Sequence, residues 1–281
     1  MLFPGLNIRY AMAEIARSFQ ELNYLDTLSS KDSRIHRIDP RAKLVTFMVF
    51  VACVVSFDKY EVSALVPFFL FLAVIIPLAR IPLHFMVRKL LFLLPFAVFI
   101  GIFNPFYDRH IMFSLGPVPI TGGIVSFVSI LLRFMLTVVA AMTLVAVTGF
   151  NGICMALERF HIPKAFSVQL MMLYRYIFVL TSEGISMARA RELRSVGSKG
   201  LGIRTYSSLV GSLLLRTWHR AQRIHMAMLS RGYHGEFYLR RPMHIGIADI
   251  AFAAFWCALF IAFRLVNLPQ AVGGVLMGAM S

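Results

Sequence analysis

The chain has 281 residues, of which 59% are hydrophobic and only 15% charged, with a formal net charge of +15 and a mean hydropathy of +0.76. Soluble domains carry about 25% charged residues, so the composition excludes an ordinary soluble domain and reads as a membrane protein. The basic excess therefore reports where Lys and Arg lie relative to the membrane rather than a nucleic-acid partner.

Residues 1–42 form an N-terminal arm of mixed charge with no compact apolar stretch, so no signal peptide is expected. Within it Met12, Ile15, Phe19 and Leu22 recur at helical spacing and predict a surface helix packed on its own protein. Five stretches then approach the ~20 apolar residues that a spanning helix needs. These are 43–57, 62–79, 90–103 (carrying Pro95), 123–149 (carrying Arg133) and 245–263. The expected organisation is the arm, spans one to four over 43–149, a cytoplasmic region over 150–244, and the last span with a short tail over 245–281.

Sidedness follows from the charges. The arm to Lys43 holds seven Lys/Arg, the connection between the second and third spans holds Arg80, Arg88 and Lys89, and 150–244 holds fourteen against four acids. The two alternate connections hold one each, Lys59 and Arg109. By the positive-inside rule the N-terminus and 150–244 are cytoplasmic and the C-terminus extracytoplasmic.

The cytoplasmic region reads as helices. "NGICMALERFHI" is a short amphipathic helix closed by Pro163, and "AFSVQLMMLYRYIFVLTSEGISMARARELRS" is a long one, apolar first and basic later. Arg175 and the charge behind it argue against a sixth span there. After the Gly-rich "GSKGLG" comes "TYSSLVGSLLLRTWHRAQRIHMAMLSR", on the order of 40 Å if helical. Val210, Leu214, Trp218, Ala221 and Met228 form its apolar stripe, while Arg216, Arg220 and Arg223 form a basic row that Arg231 continues. Gly232 takes the stop position, where a left-handed residue is wanted.

Arg191 and Arg231 each sit near the end of a long helix after a small residue, Ala190 and Ser230. A projecting guanidinium can make a forked contact to carboxylate, which would suit docking into an acidic groove. A solvated or headgroup-facing surface is the other reading of the same arginines.

These blocks, in this order, resemble the transmembrane T component of energy-coupling factor (ECF) transporters, of the CbiQ type that serves cobalt and nickel uptake. The resemblance runs through "SRIHRIDPRAKL", "ALERFHIPKAF", "YRYIFVLTSEGISMARARELRS", "GSLLLRTWHRAQRIHMAMLSRGYHGEF" and the final span. It implies an all-α integral membrane protein of about five transmembrane and three cytoplasmic coupling helices, in the bacterial inner membrane. It also implies two Ala-Arg-Gly-like triplets that enter grooves in two cytoplasmic ABC-type ATPases. The matching positions are Ala190, Arg191, Glu192 and Ser230, Arg231, Gly232, which depart from the pattern at Glu192 and Ser230. Further implied partners are a substrate-binding membrane subunit, which would bind the metal, and a small accessory membrane subunit.

Other classes fit less well. No Walker-type loop occurs, so ATP would be handled by another chain. The eight histidines are scattered and Cys53, Cys154 and Cys257 lie far apart, so neither a metal site nor a cofactor is expected. Arg133 reads as snorkelling toward the outer interface and Asp249 as lying at headgroup level. A vitamin-uptake T component, a basic scaffold lying on anionic lipid and a self-contained transporter are the alternatives. The last would require a repeat of spans, and none is evident.

Overall fold

The computed structural model describes residues 26, 28–29, 33, 35–107, 111–115, 118–160, 162–194, 203–235 and 245–265. The expected N-terminal helix and the Gly-rich break at 197–202 lie outside the described residues. The chain divides into two compact units. A bundle unit comprises Leu28–Ile153 and Met243–Ser281, and a hairpin unit comprises Met1–Thr27 and Cys154–Pro242.

The bundle unit is organised by α1 (Pro40–Val55) and α8 (Ile247–Leu265). Asp39 starts α1 by accepting the Arg41 N–H at 2.8 Å, with Pro40 behind it at the first helical position. The two helices run parallel, because their N-terminal ends are tied by the Asp39 N–H donating to Asp249 Oδ1 at 3.0 Å. At the other end Arg264 Nη2 donates to the Ser56 carbonyl at 3.0 Å, with its guanidinium 4.6 Å over the Phe57 ring. Between these ends lies an aromatic core. Phe260 packs on Phe50 at 5.3 Å and on Phe71 at 5.0 Å, and Phe71 packs edge-on against Trp256 at 4.7 Å. Such pairs add about 0.5–1.5 kcal/mol beyond area burial.

Phe68 and Phe71 come from α2 (Phe68–Leu78), an eleven-residue apolar helix preceded by a 3-10 turn at Ser63–Leu65. α2 ends in a left-handed residue, Arg80 at φ 51°, whose N–H reaches Pro77 O while Ile81 N–H reaches Ile76 O. α3 (Leu83–Gly101) exposes Leu83, Leu91, Phe92, Phe96 and Phe99, the face expected of a helix set in lipid. A short helical turn, α4 (Asn104–Tyr107), leads to a β-hairpin in which β1 (Ile111–Leu115) pairs antiparallel with β2 (Val118–Thr121). α5 (Gly122–Arg159) follows, broken at Gly149 (φ 71°, ψ 157°), so that a long apolar segment is followed by a short second helix.

The protein is thus an all-α membrane protein, with this ribbon the one sheet among the described residues. Four described helices are long and apolar enough to cross a membrane: α3, α5, α8 and Lys164–Arg191. The sequence expectation differs in three ways. The third apolar stretch begins at Leu83 rather than at residue 90, because Pro82 starts a helix that Arg88 and Lys89 do not interrupt. The first and second are short, at 16 residues in α1 and eleven in α2. The segment 164–191, expected outside the membrane, meets the length and composition for a span.

The hairpin unit contains α6 (Lys164–Arg194) and α7 (Ile203–Leu229), packed on each other. α6 starts just after Pro163, whose carbonyl accepts the Phe166 N–H at 2.9 Å.

Candidate functional site

The α6–α7 pair carries both predicted arginine tips, and its geometry follows from a few contacts. Glu183 on α6 reaches across to two arginines one turn apart on α7, Arg220 at 3.1 Å and Arg216 at 3.6 Å. One turn is the spacing that puts i and i+4 on one helix face. Next to this pairing the helices come close, with a methyl on Gly184 standing 3.7 Å from Leu213 Cδ2. The pairing divides the seam. On one side a cavity of about 570 Å³ is lined by Ala190, Arg191, Arg194, Ser208, Ser212 and Arg216. On the other, a cavity of about 320 Å³ is lined by Met172, Leu173, Tyr176, Ile224, Met228 and Tyr233. Residues late in α6 thus face residues early in α7, which makes the pair antiparallel.

Arg191 lies in the last turn of α6, exposed, with Arg194 a turn beyond it. Cations at this end complement the partial negative charge of the helix C-terminus, by about 0.3–1 kcal/mol each. Ala190 is also exposed, whereas the side chain of Glu192 lies outside the described residues. Arg191 thus stands with no acidic side chain against it among the described residues.

Arg231 occupies the cap of α7. Gly232 adopts φ 79°, its N–H reaches Leu229 O at 3.0 Å, and the Tyr233 N–H reaches back to Met228 O at 3.0 Å. This is the two-bond closure that a left-handed glycine makes possible. It satisfies terminal carbonyls with backbone donors, so the Arg231 side chain is not needed as a cap and is exposed. Ser230 turns inward instead, its hydroxyl donating to Met226 O at 2.9 Å. A small side chain at 230 therefore leaves the approach to Arg231 open.

The two triplets are not brought together. Ala190 shares a cavity with Ser208, and Arg231 lies 23 residues farther along α7. At 1.5 Å per residue the tips are about 35 Å apart, at opposite ends of one antiparallel pair. Two separate contacts, rather than one composite site, are what this arrangement can make. Among the described residues no three of His, Cys, Asp and Glu converge in a way that would hold a metal ion.

Sequence reasoning missed Glu183 as the clasp of the pair, although its two partners at helical spacing on an otherwise basic face were a usable signal. α7 also leaves Val210, Leu214 and Trp218 exposed, as its apolar stripe foreshadowed.

Comparison with known proteins gives a consistent result. The family model for CbiQ, described as cobalt transport protein, matches residues 31–244. An uncharacterized protein of Methanocaldococcus jannaschii is 27% identical over 231 residues, covering 79% of this chain and 78% of its own length. The energy-coupling factor transporter transmembrane protein EcfT of Bacillus subtilis is 26% identical over 219 residues, covering 72% and 82%. The cobalt transport protein CbiQ of Salmonella typhimurium is 30% identical over 130 residues, covering 45% and 58%.

Proposed function

This chain belongs to the CbiQ family of cobalt transport proteins, and we propose that it is the energy-coupling transmembrane subunit of an ECF-type importer for cobalt or nickel ions. In this reading the chain performs no catalysis. Two cytoplasmic ABC-type ATPases bind at Arg191 and Arg231, and a separate membrane subunit holds the metal. Motion driven by ATP passes through this chain to that subunit, which reorients and releases its ion.

The observation that carries the reading is the pair of exposed arginines at opposite ends of the α6–α7 hairpin, about 35 Å apart along the helix axis. A single groove-binding contact would need one tip, whereas two motors that close on each other need two tips held at a fixed separation. Glu183 clasping Arg216 and Arg220 supports a hairpin that keeps that separation. Forked guanidinium contacts favour carboxylate partners, so each ATPase groove is acidic in this account.

The residues 150–244 lie on the cytoplasmic side in this proposal, α6 included, with the N-terminus inside and the C-terminus outside the inner membrane. Fourteen Lys and Arg in that stretch support the assignment. Arg175 and Glu183 within α6 would each cost a few kcal/mol at the centre of a bilayer. The substrate assignment is supported by the family's description and by the relative in Salmonella typhimurium named for cobalt transport.

The test is uptake of radioactive cobalt and nickel into vesicles holding this chain with its ATPase and substrate-binding partners. ATP-dependent accumulation of either ion, lost when this chain is omitted, is the expected result. Accumulation that is independent of this chain would refute the assignment.

A further inference from the structure

The segment that opens α1, Asp39-Pro40-Arg41-Ala42-Lys43, does more than begin a helix. Lys43 is 1% exposed, Asp39 5% and Asp249 8%, so three ionisable side chains are buried at one end of the bundle. A buried ammonium is costly unless every donor finds an acceptor. Lys43 Nζ donates to the His36 carbonyl at 3.2 Å and, across 104 residues of sequence, to the Val147 carbonyl at 3.3 Å.

Val147 is where the helix ladder fails. In an unbroken helix its carbonyl would accept from the Asn151 N–H, but Gly149 at φ 71° and ψ 157° breaks α5 between them. A helix end leaves its last carbonyls without partners, and the Lys43 ammonium supplies one. The far side of the break is held by the same turn of α1. A methyl placed on Gly152 would stand 3.6 Å from Pro40 Cγ and 3.0 Å from Thr148 Cγ2, so α5 passes closely over Pro40 there. The turn is itself anchored to α8. Asp249 accepts the Asp39 N–H through Oδ1 and the Gly246 N–H at 2.8 Å through Oδ2. The carboxylates of Asp39 and Asp249 also lie near enough to act on the Lys43 ammonium.

We propose that Asp39–Lys43 is a clip that holds the break in α5 open, gripping α5 before the break through Lys43 and after it through Pro40. Lys43 is the positioning residue of this clip. A broken helix with no partner for its freed carbonyls would fluctuate between broken and continuous forms, and the clip selects the broken one. For transport, a break fixed in direction passes on a push arriving along the second part of α5, whereas a loose one absorbs it. That consequence rests on the coupling-subunit reading; the clip itself does not.

Hydrogen exchange of the full chain in detergent, read by mass spectrometry over 145–153 and over the core around Phe50 and Phe260, tests the clip. Lys43→Met should accelerate exchange over 145–153 roughly tenfold or more, the loss expected for a hydrogen bond to a charged group, while the core stays protected. Gly149→Ala alone should lower the melting temperature, since alanine is strained at this φ. Added to Lys43→Met it should slow exchange over 145–153, because the released helix can then run through. A lysine that merely stabilises the bundle predicts otherwise, with exchange rising equally at the core and the two substitutions adding. Either of those results, or unchanged exchange over 145–153 in Lys43→Met, overturns the proposal.

Should Lys43→Met fail to fold, Pro40→Ala is the second variant, since it removes the ring carbon that lies nearest to Gly152. It is expected to loosen the same stretch alone, and exchange there equal to wild type contradicts the clip. A chain that shows the predicted exchange yet binds no ATPase supports the clip and removes the coupling-subunit reading.

Discussion

The α1–α8 pair of the bundle runs parallel and the α6–α7 pair of the hairpin antiparallel, and the two close their ends differently. In the first, both ends are tied by polar contacts between elements. Asp249 takes the Asp39 N–H, Lys43 takes two carbonyls, and Arg264 covers the Ser56 carbonyl. The space between is filled by Phe50, Phe68, Phe71 and Phe260, each at most 1% exposed. In the second, one acidic residue clasps the middle, two cavities flank it, and arginines stand exposed at both ends. Pairs built to hold shape consume their polar groups internally, and pairs built to meet partners leave them out. In the proposed reading, the difference separates the part of the chain that is frame from the part that is contact surface.

Substitutions can break this contrast, and the largest effect is expected in the aromatic core. Phe260→Ala should lower stability in detergent by about 3 kcal/mol, the low end for such a truncation. Within a membrane the lost packing remains while the transfer gain falls away. A denaturant titration monitored by Trp256 fluorescence would show it. Asp249→Ala leaves the Asp39 and Gly246 N–H groups without their acceptor and should cost about 2 kcal/mol in the same titration.

Gly232→Ala places a Cβ at φ 79° and should cost about 1 kcal/mol. Its effect should be confined to faster hydrogen exchange over 228–233, with the bundle unmoved. The smallest effect belongs to Glu183→Gln. Its partners Arg216 and Arg220 are 62% and 36% exposed, so solvent screening holds the loss below about 1 kcal/mol. That loss should shrink further in 1 M salt, and a loss unchanged by salt would show the clasp to be packing rather than charge.

Much of this contrast was legible in the chain. The stripe of Val210, Leu214 and Trp218 gave α7, and Gly232 marked its end, because helix period and left-handed caps are local properties. What escaped depended on distant residues. Lys43 read as one more charge ahead of a span, yet its burial depends on Val147, 104 residues away. The end of the fourth apolar stretch at 149 and the separate short helix from Asn151 mark where α5 breaks. That the break is met by a lysine of α1 was not readable. The start of α3 was placed late because Arg88 and Lys89 interrupt an apolar count but not a helix. "IMFSLGPVPIT" holds a turn signal at Gly116-Pro117, but two strands of four or five residues are too short to stand out by alternation alone. Arg133 within the fourth apolar stretch finds the carbonyl of Asp58, in a connection placed on the outer side by the charge pattern. That partner could not have been named from sequence, although a reach toward that interface was expected.

The central claim is that Arg191 and Arg231 are two independent docks. The most direct measurement is the ATPase stoichiometry of the purified complex, by mass photometry or native mass spectrometry. Wild type should carry two ATPase subunits per copy of this chain, Arg191→Glu and Arg231→Glu one each, and the double variant none. Two ATPases retained by the double variant would contradict the account.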